Sequence, residues 1–159
     1  MDSVQLGKAF TATVQASLHG LQSIEPVLQR EQDALLGKDP ETLQHVVREK
    51  LVLLKELEHS VHARDRLQKA AGLPAGNEGA GKLVEGLQQQ ALTQDWAALT
   101  ELAQRVAELN DCNGRLAIQG QRNARAALGI LTGRTATDDT YSTLRRRGGG
   151  VASYTLGKV

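Results

Sequence analysis

"REQDALLGKDPETLQHVVREKLVLLKEL", residues 30–57, decides the fold. Gly37 suits the left-handed position that closes a helix. Asp39 suits the cap of the next helix, with Pro40 at its first position, where no amide donor is needed. One helix therefore stops and another starts within a tight turn. Upstream, Leu21, Ile24, Leu28 and Leu35 follow helical spacing. This predicts a first helix from about Val4 to Leu36. Pro26 inside it removes a hydrogen bond, but the apolar stripe keeps phase across it, so a kink is expected rather than a break. Downstream, Leu43, Val47, Leu54, Leu57 and Val61 form a heptad seam that Lys50, Arg64 and Gln68 interrupt. The second helix is expected from Pro40 to about Ala71.

"GLPAGNEGAG", residues 72–81, breaks the pattern with glycine and proline. A short helix around Lys82 to Gln90 is expected next, then a third long helix from Thr93 to Gly133. Its core line reads Leu99, Leu102, Val106, Leu109, Asn113, Leu116, Gly120, Asn123, Ala127 and Ile130. The second and third helices span about 48 Å and 58 Å. Helices this long pack antiparallel at shallow angles. The fold class expected is all-α: an elongated antiparallel bundle of three long helices with coiled-coil packing and a short connecting helix. Residues 1–133 read as one helical domain. Residues 134–159, rich in Thr, Ser, Gly and Arg, read as a flexible, disordered tail.

Composition agrees. Of 159 residues, 40% are hydrophobic but only 3% aromatic, so the apolar material is mostly Leu, Val and Ala. The single Cys112 excludes an internal disulfide and fits a reducing compartment. No stretch approaches the roughly 20 apolar residues of a membrane span, and the N-terminus does not read as a secretory signal. In the tail, Arg134, Arg145, Arg146, Arg147 and Lys158 stand against Asp138 and Asp139. That is a net +3, and the formal total of +1 leaves −2 for the body. An acidic body with a small basic tail is a poor nucleic-acid binder.

Chemical motifs are sparse. Glu56-Leu57-Glu58-His59 matches a di-iron helix motif once, where such bundles use two copies. His59 and His62 stand three apart but read as solvated, and the residues after His45 do not suit a phosphate-accepting histidine. Ser3, Ser17, Ser23 and Ser60 lie on helices without a strained turn. "GNEGAG" follows no strand, so it does not read as a phosphate cradle. "LRRRGGG", carrying Arg145–Arg147, reads as a solubilising run. No catalytic constellation, metal or cofactor is expected.

The stretch "LNDCNGRLAIQGQRNARAALGILTG", residues 109–133, is unusual. Asn110, Asn113, Gln119, Gln121 and Asn123 load a helix with amides, and Gly114, Gly120 and Gly129 weaken it. A seam asparagine lowers stability but fixes register. On that ground Asn113→Leu is expected to raise stability. A second stripe, Ala117, Ala124, Leu128 and Leu131, widens the apolar arc. Such an arc suits an incoming helix. It equally suits packing on the first helix.

These residues carry a resemblance. The 30–57 hairpin presents Glu31, Ala34, Leu35, Asp39, Leu43, Lys50, Leu53 and Leu54. "RDRLQKAAGLP" closes the second helix, Trp96 and Leu99 open the last, and the Asn-Gly helix follows. Over about residues 15–141 the chain resembles the FlgN family of flagellar type III export chaperones. Tyr141 matches the family's tail tyrosine, although Ser142 replaces the usual glycine after it. The resemblance implies a cytoplasmic, non-enzymatic chaperone. Its implied clients are the C-terminal segments of the hook–filament junction proteins FlgK and FlgL, and its implied destination is the cytoplasmic domain of the export gate protein FlhA. Client contact is then expected on Leu116, Ala117, Gly120, Asn123, Ala124, Leu128 and Leu131, and gate contact on Tyr141. The alternatives are a self-associating structural coiled coil and a non-flagellar secretion adaptor.

Overall fold

The computed structural model describes residues 2–132. They form four helices and no strand: α1 (Ser3–Gly37), α2 (Pro40–Ala70), α3 (Asn77–Leu87) and α4 (Gln90–Leu131). The expected bundle of long helices with one short connecting helix is the fold. The tail, Tyr141, Arg145–Arg147 and the domain boundary after residue 133 lie outside the described residues.

Local chemistry explains where the elements begin and end. The Asp2 carboxylate accepts the Gln5 amide at 2.7 Å and caps α1. The helix then runs through Pro26 as one element. Its left-handed residue is Lys38 (φ 52°), not Gly37. The Lys38 amide still completes a bond to the Ala34 carbonyl, so Gly37 belongs to the last helical turn. Asp39 caps α2 as expected, accepting the Thr42 amide at 3.1 Å and the Thr42 hydroxyl at 2.6 Å. The hydroxyl bond above all holds the Asp39 carboxyl below its ordinary 3.8.

α3 starts earlier than expected, inside the glycine-rich segment. Gly76, at φ 87°, precedes it. At Gly79 a Cβ would sit 1.8 Å from the Pro74 carbonyl oxygen, so only glycine permits this close approach. α4 also starts earlier, at Gln90. Thr93 is no cap; its hydroxyl bonds back to the Gln89 carbonyl at 3.1 Å within the first turn.

α1 is the spine. Lys50 of α2 meets Glu31, whereas Leu57 lies against Gly20, so α1 and α2 are antiparallel. Gln15 meets Asp95, Glu25 meets Arg105 and Gln32 meets Cys112, each pair 80 residues apart. α1 and α4 are therefore parallel, and α2 is antiparallel to both. α2 and α4 each pack along α1, while their backbones hardly approach one another. The core joins Phe10, Val14 and Leu28 of α1 to Leu57 of α2 and to Leu92, Leu99 and Val106 of α4. α3 seals its lower end with Ala80, Leu83 and Val84. Of the expected α2 seam only Leu57 is fully buried; Val46 is buried in addition. With α1 as its main neighbour, α2 packs on one side, and Leu43, Val47, Leu54 and Val61 stay half-exposed.

Candidate functional site

The register between α1 and α4 determines what the amide-rich helix does. At a constant offset of 80 residues, Gly37 stands level with Ala117. Beyond that level neither α1 nor α2 accompanies α4. Residues 118–131 therefore project past the hairpin by about 21 Å. The core line of α4 continues onto this projection with the second stripe beside it: Leu99, Leu102, Val106 and Asn113 are buried, Leu116 and, on the stripe, Ala117 are half-buried, and Gly120, Asn123 and, on the stripe, Ala124 are exposed. Further out, Leu128 is 59% exposed, and Ile130 and Leu131 are each 82% exposed. The arc does not pack on α1 along these residues. The seven residues expected at a client contact thus form one continuous face, covered at its base and open at its end.

The base of that face is a polar layer. Glu31 is buried between the three long helices. One of its oxygens accepts Lys50 Nζ at 2.6 Å and the other accepts Asn113 Nδ2 at 2.9 Å. Asn113 also donates to the Leu28 carbonyl at 2.8 Å, and Lys50 reaches Asn110 at 3.5 Å. A buried charge pair needs every oxygen occupied to offset its desolvation. Asn113 supplies part of that, so its amide has buried partners. The expectation that Asn113→Leu stabilises the fold is reversed: it would leave Glu31 short of a donor.

The other amides divide by height. Asn123 accepts Gln119 Nε2 at 3.0 Å within the exposed end. Ile118, 52% exposed, and Ile130 join the apolar surface, although neither was among the expected contact residues. Glu31 and Lys50 were also missed as a site. The available signal was charges of opposite sign at core-facing positions of paired helices, with an asparagine on the third.

A second buried polar group lies lower in the bundle. Arg64 is almost fully buried, its guanidinium 5.3 Å from the Trp96 ring centre. None of its three nitrogens has a hydrogen-bond partner among the described residues. Burial pushes its pKa down, with Asp65 opposing. The histidines, by contrast, are exposed; His62 lies 3.5 Å from Glu58, its neighbour one turn away. Among the described residues no three His, Cys, Asp or Glu side chains converge as a metal site. No helix there is long and apolar enough to cross a membrane.

These features define a helical-bundle protein whose last helix carries its core face beyond the bundle. The FlgN protein family matches residues 1–144, and the chain belongs to that family. It is similar to the crystal structure of a flagella synthesis protein FlgN from Pseudomonas aeruginosa. The two are 26% identical with a TM-score of 0.53, over 82% of this chain and 98% of that one. No curated protein matches the chain. Family and neighbour together give the protein a flagellar role.

Proposed function

We propose that this protein is a cytoplasmic export chaperone, which holds the C-terminal helical segments of FlgK and FlgL on the projecting end of α4. It keeps them from assembling early and delivers them to the export gate FlhA. The observation that carries this reading is the exposure of Leu128, Ile130 and Leu131 on a helix whose apolar arc has no partner at that height among the described residues. Contiguous apolar surface of this kind marks an interaction site. An amphipathic client helix would continue the bundle upward, in place of α1 and α2. Gly120 lets its backbone come close, since no described residue lies within 4 Å of a Cβ there. Asn123 offers it a hydrogen-bonding group that selects register. Delivery requires reversible binding, so micromolar to nanomolar affinity is expected, about −8 to −12 kcal/mol.

Isothermal titration with C-terminal FlgK and FlgL peptides tests the reading. Saturable binding near one-to-one is expected. Leu128→Asp combined with Leu131→Asp should abolish it while stability stays within about 0.5 kcal/mol of wild type, because these side chains are exposed. A collapse of thermal unfolding would make them core residues instead. Gate contact is assigned to Tyr141 by resemblance alone. Tyr141→Ala should spare client binding and weaken docking to the FlhA cytoplasmic domain; unchanged docking would remove that assignment.

A further inference from the structure

We propose that Arg64 holds a monatomic inorganic anion, chloride in ordinary salt, as its counter-ion in the layer it shares with Ser17, Gln68 and Trp96. The proposal does not depend on the chaperone reading.

The layer is closed to solvent at its polar groups. Ser17 and Arg64 are each 1% exposed, and Gln68 is 0% exposed. Gln68 stands one turn from Arg64 on α2, so the two side chains are neighbours on one face. Ser17 belongs to α1. At the 80-residue offset it stands level with Ala97, beside Trp96. The Arg64 guanidinium lies over the Trp96 ring, 5.3 Å from its centre.

What the layer lacks is an acceptor. A guanidinium stays charged and carries five N–H donors and no acceptor. The Trp96 ring offsets part of the charge from one face. The N–H bonds, however, lie in the guanidinium plane, and Nε, Nη1 and Nη2 have no partner among the described residues. Asp65, the adjacent carboxylate, is engaged elsewhere: one of its oxygens accepts the Gly76 amide at 3.0 Å. No ion pair joins Arg64 to a carboxylate among the described residues. The Ser17 hydroxyl and the Gln68 amide are unpaired as well.

Donors therefore outnumber acceptors around a fixed positive charge. A water accepting from Arg64 would bring two donors of its own and no charge. The unpaired buried side-chain acceptors in this part of the bundle are only Ser17 Oγ and Gln68 Oε1 among the described residues. A buried charge without a counter-ion is strongly destabilising. A halide accepts several N–H bonds at once and neutralises that charge. Because the polar groups are shut from solvent, a polyatomic anion or a partner's carboxylate does not suit the layer.

The test compares thermal unfolding of the full-length protein in sodium chloride and in sodium gluconate, whose anion is too large for the layer. Ionic strength is held equal at about 0.2 M, so that screening is the same. Wild type should melt at least about 3 °C higher in chloride, with the gap growing as the logarithm of chloride concentration. Arg64→Met, which keeps the packing without the charge, should show no such gap. Gln68→Met keeps the cation and should show a smaller one. Crystals of the wild-type protein grown from bromide salt should give an anomalous peak within hydrogen-bond reach of the Arg64 guanidinium. Waters in place of that peak would overturn the proposal. A peak without chloride-dependent stabilisation would mark an adventitious ion only and would overturn it too. So would a chloride gap that survives Arg64→Met, since the ion would then act elsewhere on the protein. Should Arg64→Met fail to fold, the wild-type gap and the bromide peak decide the matter between them.

Discussion

Asn113 shows how one side chain changes the reading of a helix. On sequence it is a polar interruption of a seam, and such a residue usually lowers stability. In the fold it donates to Glu31 and to the Leu28 carbonyl. Asn113→Leu should therefore cost about 1–3 kcal/mol in urea denaturation; a gain would mean that Lys50 alone satisfies Glu31. Arg64 gives the opposite case. Its guanidinium is buried without a hydrogen-bond acceptor among the described residues, against the Trp96 ring. Replacing such a charge with an apolar side chain of similar length is often neutral or stabilising. Arg64→Met should match or exceed wild type in melting temperature, and a loss above about 2 kcal/mol would contradict that. Both residues were visible in sequence as breaks in the heptad pattern. Which of them had a partner was not, because the partner of Asn113 lies on α1, more than eighty residues away.

At the level of elements, the helix boundaries were most legible where side-chain chemistry sets them. Asp39 and Pro40 mark the start of α2 unambiguously. Because the Asp39 carboxyl is held below its ordinary value, ionisation favours the folded state. That contribution is present above 3.8 and is lost as pH falls through the lowered folded value. The stability gap between wild type and Asp39→Ala should therefore narrow as pH falls below 3.8 and through the lowered folded value. A gap that persists there would assign the effect to the uncharged side chain. Starts set by backbone fit were less legible. α3 begins earlier than expected because Gly79 packs against Pro74, a contact that no local pattern announces. The end of α4 is a third case. Its apolar arc was readable, but the sequence left it equally suited to α1 or to a partner. Only the parallel register of α1 and α4 shows that α1 stops short of it.

Over the whole molecule, one spine helix carries two neighbours that differ in reach. α2 turns back at the level where α1 ends, and α4 continues. The polar layer of Glu31, Lys50 and Asn113 sits just below that point, so the register of the bundle is fixed close to where its cover ends. Among the described residues nothing packs on the outer part of the projection, and a helix segment this short is marginal on its own in water. It extends an existing helix, which avoids a new nucleation step. Such a segment should open readily when free and become ordered on a client. Hydrogen exchange across the full chain, with and without saturating FlgK C-terminal peptide, measures this most directly. Fast exchange over residues 118–131 in the free protein, strongly slowed with peptide, is the predicted result. Protection confined to α1 or α3, with residues 118–131 unchanged, would show that the projecting helix is not where the client binds.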